Sequence, residues 1–237
     1  MQVIILAGGL GTRLAEETDS IPKPMVRIGP YPIIRHIMNH FAEFGHTEFL
    51  VAAGYKVEII EAYFASEILP EDWKVSVIDT GLETATGGRI LRLKDLLAER
   101  FFLTYGDGLS DVNLNSLVDC HLTSGKLGTV TAVRPPARFG TLEIFNGVVT
   151  KFSEKDPQDV GWINGGFFVL EKKFLAHILN DQTVLEQEPL RRLSSEGQLS
   201  GYEHRNWWHP MDTLRDKREL EEIWNKGNPP WLVKPRD

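Results

Sequence analysis

Cysteine is nearly missing from this chain: Cys120 is the only one in 237 residues. A lone thiol excludes an intramolecular disulfide and suits a reducing compartment. It lies among Leu117, Val118 and Leu122 in a helix-like stretch, where a small core residue is expected rather than a nucleophile. Long apolar runs are also missing, and no segment approaches the roughly 20 residues a membrane-spanning helix needs. The N-terminus has neither a basic flank nor a cleavable small-residue site, so its apolar run reads as a strand, not a signal peptide. Positive charge is in deficit, with 26 Lys and Arg against 33 Asp and Glu, a net charge of −7 and no basic run. That balance argues against a nucleic-acid footprint. The expectation is a cytoplasmic protein that engages neither membrane nor nucleic acid. With 42% hydrophobic and 25% charged residues, the composition is ordinary for a globular chain. No linker, repeat or low-complexity segment breaks it, so one domain over 1–237 is expected.

What is present is an alternation of strand-like and helix-like segments. Val3-Ile4-Ile5-Leu6-Ala7, Phe49–Ala53, Val75–Ile78 and Phe101–Tyr105 are short apolar runs of the kind buried on both faces of a sheet. Between them, Ile33, Ile34, Ile37, Met38 and Phe41 recur at helical spacing, as do Val57, Ile60 and Phe64. Ile90, Leu91, Leu93, Leu96 and Leu97 predict a further helix. Such βαβ alternation implies an α/β fold with a mostly parallel, Rossmann-like central sheet flanked by helices. The middle differs: Asn146-Gly147 between Thr141–Ile144 and Val148–Phe152 predicts a β-hairpin, hence a small antiparallel subregion. Helices are expected near Phe174–Leu179, Leu185–Ser195 and Thr213–Trp224.

The first strand runs directly into Gly8-Gly9-Leu10-Gly11-Thr12-Arg13, and Lys23 follows between Pro22 and Pro24. A glycine-rich turn leaving a buried strand lets backbone N–H groups approach a polyphosphate, because no Cβ blocks the way. Arg13 and Lys23 add the cationic charge a triphosphate requires. A Walker loop does not fit, since Gly-x-x-x-x-Gly-Lys-Ser/Thr occurs nowhere, and Leu14 stands where a dinucleotide fingerprint needs its last glycine. A lysine between two prolines is expected outside the core.

Gly106-Asp107-Gly108 follows the strand ending at Tyr105. Ligands gather at the carboxyl ends of strands in an open parallel sheet, so Asp107 is placed to hold a divalent cation against phosphate oxygens. Its natural partner is Asp212, which by sequence alone serves equally as the N-cap of the last helix. Asn164-Gly165-Gly166 inside a strand suggests a backbone that a ligand approaches closely. His36 and His40 sit one helical turn apart without a third ligand and read as surface or partly buried imidazoles. Trp207 and Trp208 fit either stacking on a ligand or packing beneath the Asp212 turn.

Leu6–Leu14 with Pro22-Lys23-Pro24-Met25 resembles the signature of the sugar-1-phosphate nucleotidylyltransferases. Further strings resemble one branch, the glucose-1-phosphate cytidylyltransferases. They are Thr86-Gly87-Gly88-Arg89, Thr104–Gly108, Arg138-Phe139-Gly140, Trp162–Leu170, Glu186–Leu190 and Trp208–Lys217. The resemblance runs essentially end to end.

It implies a nucleotidyltransferase GT-A-like fold and condensation of CTP with α-D-glucose 1-phosphate to CDP-glucose and pyrophosphate, in a magnesium-dependent homo-oligomer. It implies that Leu6, Ala7, Gly8, Gly9, Leu10, Gly11, Thr12 and Arg13 cradle the phosphates and that Lys23 bridges them. Asp107 and Asp212 become Mg²⁺ ligands. Thr84 and Arg89 fall at the cytosine, with Arg89 able to donate to the base carbonyl, and Gly106 lies against the nucleoside. Glu154, Lys155, Asn164 and Gly165 fall at the sugar and its phosphate. Arg13, Lys23 and Asp107 would carry the catalysis. Three departures stand out: a short Phe64–Trp73 connection, Asp156 after Glu154-Lys155 where proline is usual, and Ile21 in place of a lysine.

Overall fold

A computed structural model describes residues 1–135, 141–153 and 161–232, with the side chains at 13, 15, 16, 141 and 153 outside that description. The strands, in chain order, are β1 (Gln2–Ala7), β2 (Arg27–Ile28), β3 (Tyr31–Pro32), β4 (Glu48–Ala53), β5 (Lys74–Asp79), β6 (Arg100–Tyr105) and β7 (Gly108–Ser110). They continue with β8 (Gly128–Val133), β9 (Thr141–Phe145), β10 (Val148–Ser153), β11 (Ile163–Glu171), β12 (Leu199–Glu203) and β13 (Trp208–Pro210). The helices are α1 (Ala15–Thr18), α2 (Ile33–Glu43), α3 (Val57–Ser66), α4 (Thr86–Arg92), α5 (Leu114–Ser124), α6 (Glu188–Ser195) and α7 (Leu214–Asn225).

Every residue of β1 is buried, and its side chains alternate between two core layers. Val3 and Ile5 pack with Ile34, Ile37 and Phe41 of α2, while Ile4 and Leu6 pack with Ile90, Leu93, Phe174 and Leu193 on the opposite face. This is the period-two geometry of a strand covered on both sides. Seven strands form the sheet in the order β12-β8-β11-β6-β1-β4-β5. β1 pairs in parallel with β4 and β6, β4 with β5, and β8 with β12; β11 runs antiparallel to both its neighbours. The central sheet is therefore mixed, with one reversed strand.

The predicted hairpin is present as β9–β10, and Asn146 (φ 49°) and Gly147 (φ 80°) adopt the left-handed backbone its turn requires. Three expectations need correction. The helix predicted through Leu97 ends at Arg92 and gives way to turns. The segment near Phe174 is a 3₁₀ helix over Lys172–His177. His36 and His40 are fully buried rather than at the helix surface, because α2 is covered both by the sheet and by the 3₁₀ turn Pro230–Leu232, whose Trp231 Nε1 donates to His36 Nδ1 at 3.2 Å. Cys120 is half-buried, and burial pushes its thiol pKa up, away from nucleophilic reactivity. Among the described residues, no helix is long and apolar enough to cross a membrane.

Candidate active site

Parallel strands deliver their carboxyl ends to one edge of a sheet, so adjacent β1 and β6 set the Gly8–Thr12 loop beside Gly106-Asp107. The Gly106 N–H donates to the Leu6 carbonyl at 2.9 Å. The reversed strand β11 brings its beginning, Asn164–Gly166, to that same edge. A cleft of about 450 Å³ opens there, lined by Leu6, Ala7, Gly8, Gly9, Gly11, Thr12, Lys23, Thr84, Arg89, Gly106 and Asp107. Its size falls within the roughly 300–1,000 Å³ of small-molecule sites. Leu10 does not line it and is 52% exposed. A second cleft of about 40 Å³, lined by Asn164, Gly165 and Trp208, shares Tyr105 and Asp107 with the first.

Asp107 and Asp212 meet because of two three-residue strands. β7 leaves Asp107 and pairs antiparallel with β13, matching Pro210 to Gly108 and Trp208 to Ser110, and the Met211 N–H then donates to the Asp107 carbonyl at 2.8 Å. Asp212 is not the cap of α7. Thr213 holds that place in a reciprocal capping box with Asp216, and the Asp212 side chain turns instead to Lys23, a residue of the larger cleft. There Lys23 Nζ lies 2.8 Å from Asp212 Oδ1 and 2.6 Å from Asp107 Oδ2. Lys23 is only 8% exposed, contrary to the expectation from its flanking prolines, which hold it in a 3₁₀ turn (Lys23–Met25) facing the cleft. Burial works against its ammonium, but Asp107 and Asp212 more than offset this, and the pKa ends above its ordinary value.

Two carboxylates converging on one cation are the oxygen donors a hard divalent ion takes, so the chemistry of Asp107 and Asp212 suits a divalent cation. A second group of candidate ligands, His209, Asp216 and Glu219, is already engaged. Asp216 accepts from the Thr213 N–H and hydroxyl, and Glu219 pairs with Arg215 and His209.

Arg89 lines the cleft, yet its guanidinium is taken up by the protein itself. Nη1 reaches the carbonyls of Ala53 and Gly81 and the Thr80 hydroxyl, and Nη2 reaches the carbonyls of Gly8 and Leu82. Arg89 thus clamps the first glycine of the loop to the ends of β4 and β5. A Cβ on Gly8 would fall 2.1 Å from that guanidinium, so this glycine serves an internal close approach. The same holds in β11, where a Cβ on Gly165 would fall 2.7 Å from Val133 Cγ1. Trp207 packs on His209 and Trp231, whereas Trp208 faces the smaller cleft and donates from Nε1 to the Gly165 carbonyl at 2.7 Å. The Arg13 side chain, Glu154, Lys155 and the Arg138–Gly140 string lie outside the described residues. Sequence reasoning missed Tyr105 as a wall common to both clefts; its place beside Gly106-Asp107 was the available signal.

The model of the Nucleotidyl transferase family matches residues 2–209. The glucose-1-phosphate cytidylyltransferase of Salmonella typhimurium is 45% identical over 253 aligned positions, covering 98% of each chain. The mannose-1-phosphate guanyltransferase beta-A of Xenopus laevis is 29% identical, over 98% of this chain and 68% of that one. Among solved structures, HddC from Yersinia pseudotuberculosis complexed with GMP-PN superposes with a TM-score of 0.76 at 26% identity, covering 94% of this chain and 99% of that one. The chain belongs to the nucleotidyl transferase family.

Proposed function

We propose that this nucleotidyl transferase joins CTP to α-D-glucose 1-phosphate, giving CDP-glucose and pyrophosphate. The observation that carries the reading is the contact of Lys23, which lines the larger cleft, with Asp107, which lines both clefts, and with Asp212. The larger cleft takes the nucleotide, with its triphosphate along the Leu6–Arg13 loop and its base toward Thr84. The smaller takes the sugar, against Asn164 and Gly165, with Glu154 and Lys155 assigned to the sugar hydroxyls and phosphate by resemblance.

A phosphate oxygen of the sugar 1-phosphate attacks the α-phosphorus of CTP in line, and pyrophosphate leaves. The nucleophile is already an anion, so no general base is required. What the chain must supply is alignment of the reacting atoms and neutralisation of charge building on the α-phosphoryl and leaving group. Lys23 and Arg13 contribute cationic charge. Asp107 and Asp212 would hold a magnesium ion, which when bound adds further neutralisation. The resemblance further implies a homo-oligomer serving nucleotide-sugar and polysaccharide synthesis, and the lone cysteine suits a cytoplasmic setting. Incubation with CTP, glucose 1-phosphate and Mg²⁺ is expected to give CDP-glucose and pyrophosphate in equal amounts; release of pyrophosphate without a sugar nucleotide would overturn the reading.

A further inference from the structure

Glu186, outside both clefts, ties their walls together. Tyr105 closes β6, and its ring lines both clefts. Its hydroxyl donates to Glu186 Oε1 at 2.5 Å and accepts from Asn164 Nδ2 at 3.2 Å. The other oxygen of that carboxylate, Glu186 Oε2, accepts from the Thr86 hydroxyl at 2.7 Å. Thr86 Oγ1 in turn accepts the Leu185 N–H at 2.9 Å, and the Asn164 side-chain oxygen accepts the Gly166 N–H at 2.8 Å. A continuous chain of hydrogen bonds therefore runs from Thr86, the first residue of α4 on the nucleotide side, through Glu186 and Tyr105 to Asn164 on the sugar side. The ring is held from behind as well: a Cβ on Gly166 would fall 2.7 Å from Tyr105 Cδ2.

We propose that Glu186 is a positioning residue for the reaction, acting through Tyr105 and Thr86 to fix the sugar-phosphate cleft against the nucleotide cleft. This rests on the reading of the two clefts under Proposed function. Glu186 is exposed and lines neither cleft, so it does not touch the reacting atoms. Its carboxylate accepts two O–H donors at once, and such charge-assisted bonds are roughly twice as strong as neutral ones. In-line displacement is intolerant of loose alignment, since about 1 Å of misplacement can cost roughly 10²-fold in rate.

Steady-state kinetics of Glu186→Gln, Tyr105→Phe and the double variant test this, with wild type in the same assay. Glutamine keeps the size of Glu186 but replaces one acceptor oxygen with an NH₂ donor. The expected result is a fall in kcat of about tenfold and a rise in KM for glucose 1-phosphate of about threefold or more, with KM for CTP within about twofold. The double variant should be no worse than the worse single one. The thermal midpoint should stay within about 2 °C, as for a surface substitution. If Glu186→Gln does not fold, Tyr105→Phe alone must show the same split between the two KM values. Unchanged kinetics, or KM values that rise together, would overturn the inference while leaving the function standing. A wild type that does not turn over would overturn both.

Discussion

Lys23 and Asp107 stand 84 positions apart in the chain, and the lysine ammonium lies 2.6 Å from the aspartate carboxylate. The contact is made where β1, β6 and β13 converge, and Asp212 completes it at 2.8 Å. It ties the motif at the start of the chain to the two carboxylates assigned to the metal.

Lys23→Ala should lower kcat/KM by roughly 10²–10³-fold, the scale for removing one preorganised charge donor. Because Lys23 is buried between two carboxylates, stability should fall as well, by about 1–3 kcal/mol after discounting for the partial exposure of Asp107 and Asp212. Scanning calorimetry and turnover measured together check both halves. A variant with wild-type kcat/KM removes Lys23 from the mechanism.

Asp107→Asn and Asp212→Asn should each abolish magnesium-dependent turnover, and the double variant should be little worse than either, as for residues acting as one unit. Thr213→Ala separates capping from chemistry. It should cost about 1 kcal/mol of stability through loss of the cap without reproducing the kinetic loss. Full activity in Asp212→Asn would contradict the assignment.

Arg89→Lys should destabilise the fold by about 2 kcal/mol and raise KM for CTP, since an ammonium cannot span the acceptors the guanidinium ties together. Denaturant unfolding and a CTP titration check it. A normal melt with only base selectivity altered would instead make Arg89 a base-reading residue.

His40 is fully enclosed, and burial pulls its pKa down to about 4. Between pH 6.5 and 4 the unfolded chain therefore binds the proton that the folded chain refuses. Stability from this group is complete above about pH 6.5 and is lost as pH falls toward 4, amounting to about 3 kcal/mol. Thermal midpoints from pH 7.5 to 4.5 should fall on the acid side, and His40→Leu should flatten the curve in part, since burial also lowers the pKa of His36 and of His46. A wild-type midpoint independent of pH across that window would contradict the burial of a neutral imidazole.

The parts legible in the sequence were those with strong local rules. The β1 run, the glycine loop, the apolar face of α2 and the Asn146-Gly147 turn all follow from periodicity or backbone preference. β7 and β13 did not, because three-residue strands carry no periodicity; yet their pairing brings Asp107 to Asp212. The burial of Lys23 was hidden because two distant carboxylates make it tolerable. The anchoring of Arg89 was hidden too, because its acceptors are main-chain carbonyls, which any sequence supplies. The reversal of β11 was equally silent, since an apolar run reads the same in either direction.

The most direct test of the account is pyrophosphate release with glucose 1-phosphate and each of CTP, UTP, ATP and GTP. Cytosine presents an amino donor where uracil presents an acceptor, and a pocket built for one leaves a buried group unpaired with the other, at about 1–3 kcal/mol per mismatch. CTP is expected ahead of UTP by at least about tenfold in kcat/KM, with ATP and GTP poor. Equal release with UTP, or a preference for GTP, would contradict it.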